Sequence, residues 1–328
     1  MTPIRWGIVG CGDVVRKRVA DAIRNAADSE LVAACRRDSQ QLQVFCEQFD
    51  VPRAYAAAED LLADPDIDAV YIATPVACHC PQTRMAAEQG KHVLVEKPMA
   101  MTAAECQDMI TACRSADVRL GVAYYRRFYP LFERIKDLLN QGAVGQPLSV
   151  SAVTSTPCDM PAGAEGYWRV LPEQGGGGAL MDIGSHRLDL FLDLFGEICD
   201  VRAVCSTLHA EYAADNLVSV IVEFATGMHG VLQCYFGTTV DPDEFVIQGT
   251  RGRIVARPLN GSRLEIQTDD TVQHETHPAL ENFNGPLIED FNLAIREHRS
   301  PRVTGDEGLQ VNRVIEAAYA SSAKSARR

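Results

Sequence analysis

Nine residues near the start of the chain, Gly7-Ile8-Val9-Gly10-Cys11-Gly12-Asp13-Val14-Val15, restrict its fold more tightly than any other stretch. They overlap an apolar run, Ile4–Val9, that reads as a buried strand. They lead into Val15, Val19, Ile23 and Ala26, which recur at helical spacing. A strand, a glycine turn and a helix in that order make a phosphate cradle. Gly10 permits the tight turn. Gly12 lets a pyrophosphate approach the backbone at the helix start, around Asp13 and Val14, where free N–H groups and the helix dipole favour an anion. The third position of this dinucleotide fingerprint, ordinarily Gly or Ala, is Val15, whose bulk is expected to push the helix slightly off the strand.

The same rhythm continues past the cradle. Short apolar runs at Leu31–Cys35, Ala69–Ala73, His92–Glu96 and Arg119–Val122 alternate with helical patterns such as Leu42, Phe45, Cys46 and Phe49. Strands alternating with helices specify a doubly wound parallel sheet, so residues 1–122 read as a Rossmann-type nucleotide-binding domain. Residues 123–328 read differently. A helix carrying Leu131, Ile135, Leu138 and Leu139 ends at Gly142, and strand-like runs with turn chemistry between them come next. Asn216–Ala225 and His229–Gly237 flank Thr226-Gly227-Met228, and Asn260-Gly261 is a two-residue hairpin signal between Arg253–Leu259 and Arg263–Thr268. Helical patterns return at Leu287–Glu297 and Leu309–Ala323, and Lys324–Arg328 reads as a frayed tail. The expectation is an α/β protein with a second, mostly antiparallel sheet. A length of 328 residues suits two such domains.

Charge removes two classes of partner. The chain carries 31 basic and 44 acidic residues, a net −13, which repels nucleic acid and anionic membrane alike. No apolar run approaches the length of a membrane span, and the start is a strand rather than a charged leader, so the expected compartment is cytoplasmic. Eleven scattered cysteines do not form a secreted disulfide framework. Cys78-His79-Cys80 invites a metal reading, but its spacing matches no common zinc pattern and it has no second ligand pair, so no metal is expected.

The adenosine end of the nucleotide is read at the close of the second strand. About 20 positions beyond the fingerprint, an acidic residue holds the ribose of NAD. Here that place reads Cys35-Arg36-Arg37-Asp38. The guanidinium groups of Arg36 and Arg37 suit a 2′-phosphate, which favours NADP; the alternative is NAD, with Asp38 on the ribose.

Three further stretches carry a resemblance. Ala69-Val70-Tyr71-Ile72-Ala73-Thr74-Pro75-Val76-Ala77-Cys78-His79 is a strand followed by a Thr-Pro turn. Gly90-Lys91-His92-Val93-Leu94-Val95-Glu96-Lys97-Pro98 is a strand ending in Glu-Lys-Pro. Gly175-Gly176-Gly177-Gly178-Ala179-Leu180-Met181-Asp182-Ile183-Gly184-Ser185-His186 joins a glycine run to an Asp-x-x-x-His pair. In this order, with the opening glycines, the chain resembles the Gfo/Idh/MocA oxidoreductases over nearly its whole length. The resemblance implies that Lys97 lies beside nicotinamide and substrate, next to a cis Lys–Pro bond, and that Asp182 and His186 complete the catalytic set. It implies that Thr74 and Pro75 run along the cofactor, with His79 and Glu96 near it. It also implies pairing of two or four copies through the open face of the second sheet, a face carrying Val218, Val220 and Val222, or Leu232 and Cys234.

The chemistry of the residues agrees. Hydride transfer leaves the redox work to the cofactor and asks the protein to move one proton and stabilise one oxygen. His186 has the right ordinary pKa for that proton, Lys97 can polarise an oxygen, and Asp182, four residues before His186, shares its helix face. Tyr125, Arg127, Trp168 and Arg169 are the candidates for contact with substrate. The expected reaction moves a hydride between NAD(P) and a secondary alcohol or carbonyl of a sugar, polyol or cyclic diol. Keto-sugar reductases and dihydrodiol dehydrogenases are the neighbouring alternatives. A regulator that only senses the cofactor would be marked by loss of Lys97 or His186, and both are present.

Overall fold

The computed structural model describes residues 2–157, 161–208, 210–269 and 271–325; the rest of the tail, 326–328, lies outside them. The chain divides into two compact units, Met1–Tyr125 with Glu281–Leu309, and Arg126–Leu280 with Gln310–Arg328.

The first unit is built on six strands: β1 (Ile4–Val9), β2 (Ser29–Cys35), β3 (Arg53–Tyr55), β4 (Ala69–Ile72), β5 (His92–Val95) and β6 (Leu120–Val122). They lie in the order β3-β2-β1-β4-β5-β6, and every pair is parallel. All four residues of β4 are buried, as expected for a sheet covered on both faces. The strand order reverses between β1 and β4, and ligands of doubly wound sheets bind beyond the strand ends at such a reversal. β3 leaves no pattern in the sequence: three residues on the sheet edge are too few for a periodicity.

A division at residue 122 assigns everything after it to one domain, but residues 281–309 pack with the first unit. Trp6, fully buried in β1, donates its indole N–H to Asn292 Oδ1 at 3.0 Å and packs against Phe291 with ring centroids 5.7 Å apart. These partners sit on the helix Gly285–Arg296, nearly the whole chain away from Trp6. Local pattern identifies this helix correctly and carries no information about which sheet it covers.

The second unit holds β7 (Pro147–Thr156), β8 (Ile198–Ser206), β9 (Leu217–Phe224), β10 (His229–Phe236), β11 (Glu244–Gly249), β12 (Gly252–Ala256), β13 (Arg263–Thr268) and β14 (Val272–Thr276). Their order is β14-β13-β12-β11-β7-β10-β9-β8, antiparallel except where β10 runs parallel to β7. The helix Ser185–Phe195 lies on one face, where Phe191 meets Phe224 and Phe245 with centroids 6.3 and 5.9 Å apart. This corrects the face expected to be open. Val218, Val220, Val222, Leu232 and Cys234 are all buried. The opposite face is the bare one, with Ile221 54% and Val204 60% exposed, and Ile221 sits directly across from Val231.

The Asn260-Gly261 hairpin also differs. β12 stops at Ala256, and residues 257–262 form a longer connection containing a cis Arg257–Pro258 bond. Asn260 serves there as an anchor: its N–H donates to Asp243 Oδ2 at 2.7 Å, and its side-chain oxygen accepts from Arg126 Nε at 2.9 Å.

Candidate active site

In the first unit the cradle forms as its residues require. Gly10 has φ +97°, a backbone conformation costly for any residue with a Cβ, and a Cβ there would come within 2.6 Å of the Ala73 carbonyl oxygen. Gly10 N donates to Cys35 O at 3.0 Å, and Ala73 N donates to Val9 O at 2.8 Å, which seats the turn between the ends of β2 and β4. A Cβ on Gly12, by contrast, would meet nothing within 4 Å. The space over the helix start is therefore open to a ligand, and a dinucleotide pyrophosphate fits it. Val15 is fully buried, and the turn it begins, Val15–Val19, is widened to π-helical. The Asp13 carboxylate points outward to Lys17, 2.9 Å away, so only the Asp13 main chain is offered to the cradle.

Arg36 is half-buried beyond the end of β2, and its guanidinium donates to the Cys11 carbonyl at 2.5 Å, fastening it to the glycine turn. Arg37 is exposed beside it. Asp38 has other work: it is the N-cap of the helix Ser39–Phe49 and accepts from Gln41 N at 3.0 Å. The pole presented at this strand end is positive.

The Thr74-Pro75 turn and the Glu96-Lys97-Pro98 segment, with its Lys97–Pro98 bond cis, are joined by one buried histidine. His79 Nε2 lies 2.9 Å from Thr74 O, and Nδ1 lies 3.2 Å from both Pro98 O and Met99 O. Burial pushes its pKa down to about 4, outweighing the three carbonyls that favour the charged ring, and the Lys97 charge lowers it further. Both ring nitrogens face main-chain carbonyls, and the neutral ring, with a single N–H, donates to one of the two loops while its other nitrogen faces the other, so the part His79 plays is structural, between the two loops. Glu96 has a similar part. One oxygen accepts from Tyr71 Oη at 2.7 Å and the other from Lys97 N at 3.1 Å, which sets the backbone from which the half-buried Lys97 springs. Tyr71 carries no signal in the sequence beyond its place in a strand; burial and the Glu96 charge keep its hydroxyl protonated, hence a donor. Thr74 donates through Oγ1 to Gln82 at 2.7 Å. Tyr125 is buried, stacked on Phe283, and its hydroxyl accepts from Arg18 at 3.2 Å.

In the second unit Asp182 lies on a π-helical turn, Leu180–Gly184, that runs directly into the helix Ser185–Phe195 carrying His186. Such widened turns are frequent at functional sites. His186 is buried, and Asp182 retains about a quarter of its side-chain exposure. Arg169 Nε approaches Asp182 Oδ2 at 3.9 Å, and its guanidinium carbon lies 4.8 Å from the Trp168 ring centroid. An aromatic face, a cation and a carboxylate thus stand together, each of them partly exposed. A Cβ on Gly175 would come within 3.0 Å of the Trp168 and Arg169 carbonyls, so the glycine run lets the Tyr167–Val170 turn cross it closely.

Arg127 departs from its expected place among substrate contacts. Its side chain is 2% exposed and donates to Asp189 through Nε and Nη2, at 2.9 and 2.6 Å, and to Asp193 at 3.2 Å. Lys136 also meets Asp193, at 2.6 Å. Directly after His186, the buried Arg187 pairs with Asp243 and donates to Thr154 Oγ1 at 3.2 Å. Two buried arginines therefore tie the His186 helix to its surroundings. The alternation of Arg, Asp and Leu in this helix is the trace they leave in the sequence, and it does not reveal their partners.

An oxidoreductase family with an NAD-binding Rossmann fold matches residues 4–124, and the GFO/IDH/MocA C-terminal domain matches residues 132–255. The D-xylose 1-dehydrogenase (NADP(+)) 2 of Haloferax volcanii is 31% identical over 97% of this chain and 97% of its own. The chain belongs to the Gfo/Idh/MocA family. It is an NAD(P)-dependent oxidoreductase. The trans-1,2-dihydrobenzene-1,2-diol dehydrogenase of Danio rerio is 34% identical over 76% of this chain and 73% of that one. The crystal structure of the aldose-aldose oxidoreductase of Caulobacter crescentus, complexed with glycerol, superposes with a TM-score of 0.90 at 28% identity, covering 98% of each chain.

Proposed function

We propose that this enzyme is NADP-linked and moves a hydride between its cofactor and a secondary alcohol, or the matching carbonyl, of a sugar, polyol or related cyclic diol. The nicotinamide supplies the hydride chemistry when bound. The protein residues do the rest. His186 takes or returns the hydroxyl proton, Lys97 polarises the reacting oxygen, and Asp182 orients substrate hydroxyls. Trp168 and Arg169 flank Asp182 as the substrate-facing pair. The observation that carries this reading is the Asp182–His186 pair on one continuous helix with Trp168 and Arg169 beside it. Polyhydroxylated rings are bound by such a combination of aromatic face and charged hydrogen-bonding groups. The named relatives, a xylose dehydrogenase, a dihydrodiol dehydrogenase and an aldose-aldose oxidoreductase, support the substrate class.

NADP over NAD is supported by Arg36 on the turn and by the commitment of Asp38 to capping. Pairing of copies is supported by the bare, partly apolar sheet face. A cytoplasmic home is supported by thiols such as Cys46, Cys78 and Cys199, free as a reducing compartment keeps them. Among the described residues no helix is long and apolar enough to cross a membrane.

The first test is a fluorescence titration of the purified protein with NADPH and then NADH, followed by turnover on D-xylose, other aldoses, polyols and a trans-dihydrodiol. Tighter NADPH binding and turnover on one of these classes is expected. An NADH preference removes the role given to Arg36. His186→Ala is expected to lower kcat by about 10²–10⁴-fold, the usual worth of a general acid–base, with cofactor affinity unchanged. Unaltered turnover removes the catalytic assignment.

A further inference from the structure

The glycine run ahead of Asp182 is shaped around one carboxylate that no motif announces. Asp215 lies just before β9 and is 7% exposed. Its Oδ1 accepts from Gly178 N at 2.9 Å and its Oδ2 from Leu180 N at 3.0 Å, while Ala179 N donates to its main-chain oxygen at 2.9 Å. Three consecutive N–H groups at the start of the Asp182–His186 helix are thus held by one residue. The Tyr319 hydroxyl donates to the same Oδ1 at 2.6 Å. Burial and the Asp215 charge both raise the Tyr319 pKa far above the ordinary phenol value, so this hydroxyl stays a donor throughout the working range.

Two glycines exist for this arrangement. A Cβ on Gly178 would overlap the Asp215 carbonyl oxygen, and a Cβ on Gly177 would overlap the Tyr319 hydroxyl. Asp215 is itself anchored through its neighbour. Asn216 N donates to Ser206 O at 3.0 Å, and Phe236 N donates to Asn216 O at 2.9 Å, which fixes the segment to the ends of β8 and β10. The Asn216 side chain exchanges two hydrogen bonds with the Leu208 main chain, at 2.8 and 2.6 Å. Asp182 stands two residues beyond Leu180, and His186 stands one turn further on.

We propose that Asp215, seated by Tyr319, is a positioning residue for proton transfer, fixing the axial and rotational setting of the helix start and through it the placing of Asp182 and His186. The proposal rests on the catalytic reading of those two residues. A carboxylate at a helix start satisfies N–H groups that the helix itself leaves open and offsets the positive end of its dipole. A displacement of about 1 Å in a reacting group costs on the order of 10²-fold in rate.

The test uses the full-length enzyme with the best substrate of the panel above, and compares wild type, Asp215→Asn, Tyr319→Phe and His186→Ala. Asp215→Asn keeps the shape but leaves one helix N–H facing an amide NH₂. Its kcat per cofactor-binding site is expected to fall about 10- to 100-fold, with the NADPH Kd within twofold and substrate KM within threefold. The primary deuterium isotope effect on kcat is expected to rise as chemistry becomes slower. Tyr319→Phe is expected to lower kcat roughly 3- to 10-fold in the same pattern, and it serves alone if Asp215→Asn does not fold. A purely structural role lowers the melting temperature and leaves kcat per folded site and the isotope effect as in wild type; that outcome in the folded variants overturns the proposal. If His186→Ala is inactive while both clamp variants match wild type, the proposal alone falls. If His186→Ala is fully active, or wild type turns over no member of the panel, the catalytic reading falls and the proposal with it.

Discussion

His79 is held neutral in the fold, with a pKa near 4, whereas an exposed imidazole titrates near 6.5. The folded value is depressed, so protonation favours the unfolded chain. The stability that His79 contributes is complete above about pH 6.5 and drains away as pH falls toward 4, by up to about 3 kcal/mol. His92, also pushed down to about 4 by its burial, acts in the same direction. Urea unfolding at pH 7.5 and pH 5 is expected to show lower stability at pH 5, and His79→Gln to reduce that difference. An unchanged difference in the variant would show that His79 is not the group responsible. Arg36 gives a second prediction at this scale. Charge-assisted hydrogen bonds are worth about 1.5–3 kcal/mol, so Arg36→Ala is expected to weaken NADPH binding roughly 10- to 100-fold and to leave NADH within threefold in a fluorescence titration. The residues proposed to carry the chemistry, Lys97, Asp182, His186, Gly10 and Gly12, stand out in the sequence because their type and spacing are themselves the signal. His79 and Glu96 are legible as belonging to these loops, but their task is not. Whether a ring nitrogen faces a ligand or a carbonyl depends on how Thr74 and Met99 come together, and no local spacing encodes that.

The helix Ser185–Phe195 is the element on which the site most depends, and its environment explains why it carries so much charge for a buried segment. Arg127 meets Asp189 with both side chains nearly sealed from water, at 2% and 1% exposure. Removing one member of such a pair strands the other, at a cost of about 3–5 kcal/mol. Arg127→Met is therefore expected to lower the urea-unfolding free energy by that amount, and Arg127→Met with Asp189→Leu to recover most of it. If the single variant is as stable as wild type, the pair does not hold this helix. From sequence, Arg127 reads as a candidate for substrate because an arginine in a junction segment is ordinarily exposed. The partners that bury it are sixty residues and more further along. The glycine run shows the same asymmetry. Four glycines announce that something approaches closely, and only the fold shows that the visitors are Asp215, Tyr319 and the carbonyls of Trp168 and Arg169. At Asn260-Gly261, hairpin chemistry is present, but tertiary use of Asn260 by Asp243 and Arg126 prevails over the two-residue turn.

For the molecule as a whole, alternation along β9 identifies the strand and marks its inner face. The even residues Val218, Val220, Val222 and Phe224 are all apolar, whereas the odd ones mix Leu217 and Ile221 with Ser219 and Glu223. The helix bearing Phe191 covers the even face, and a shift of one residue would exchange the two sets. What is left bare is a patch in which Ile221 and Val231 are directly paired across β9 and β10, with Val204 one pair along on β8. A monomer rarely leaves such a sheet face open, and a second copy of the same face is self-complementary about a two-fold axis. Wild type is therefore expected to sediment as a dimer or tetramer at about 10 µM, within the range where specific interfaces of standard size hold. Ile221→Asp with Val231→Asp sets like charges against each other in a symmetric interface and touches nothing in the buried face. The double variant is expected to sediment as a single chain, to keep its melting transition as a folded protein, and to bind NADPH as wild type does. Sedimentation of wild type as a single chain, or of the variant at the mass of the wild-type assembly, would move the interface away from this sheet.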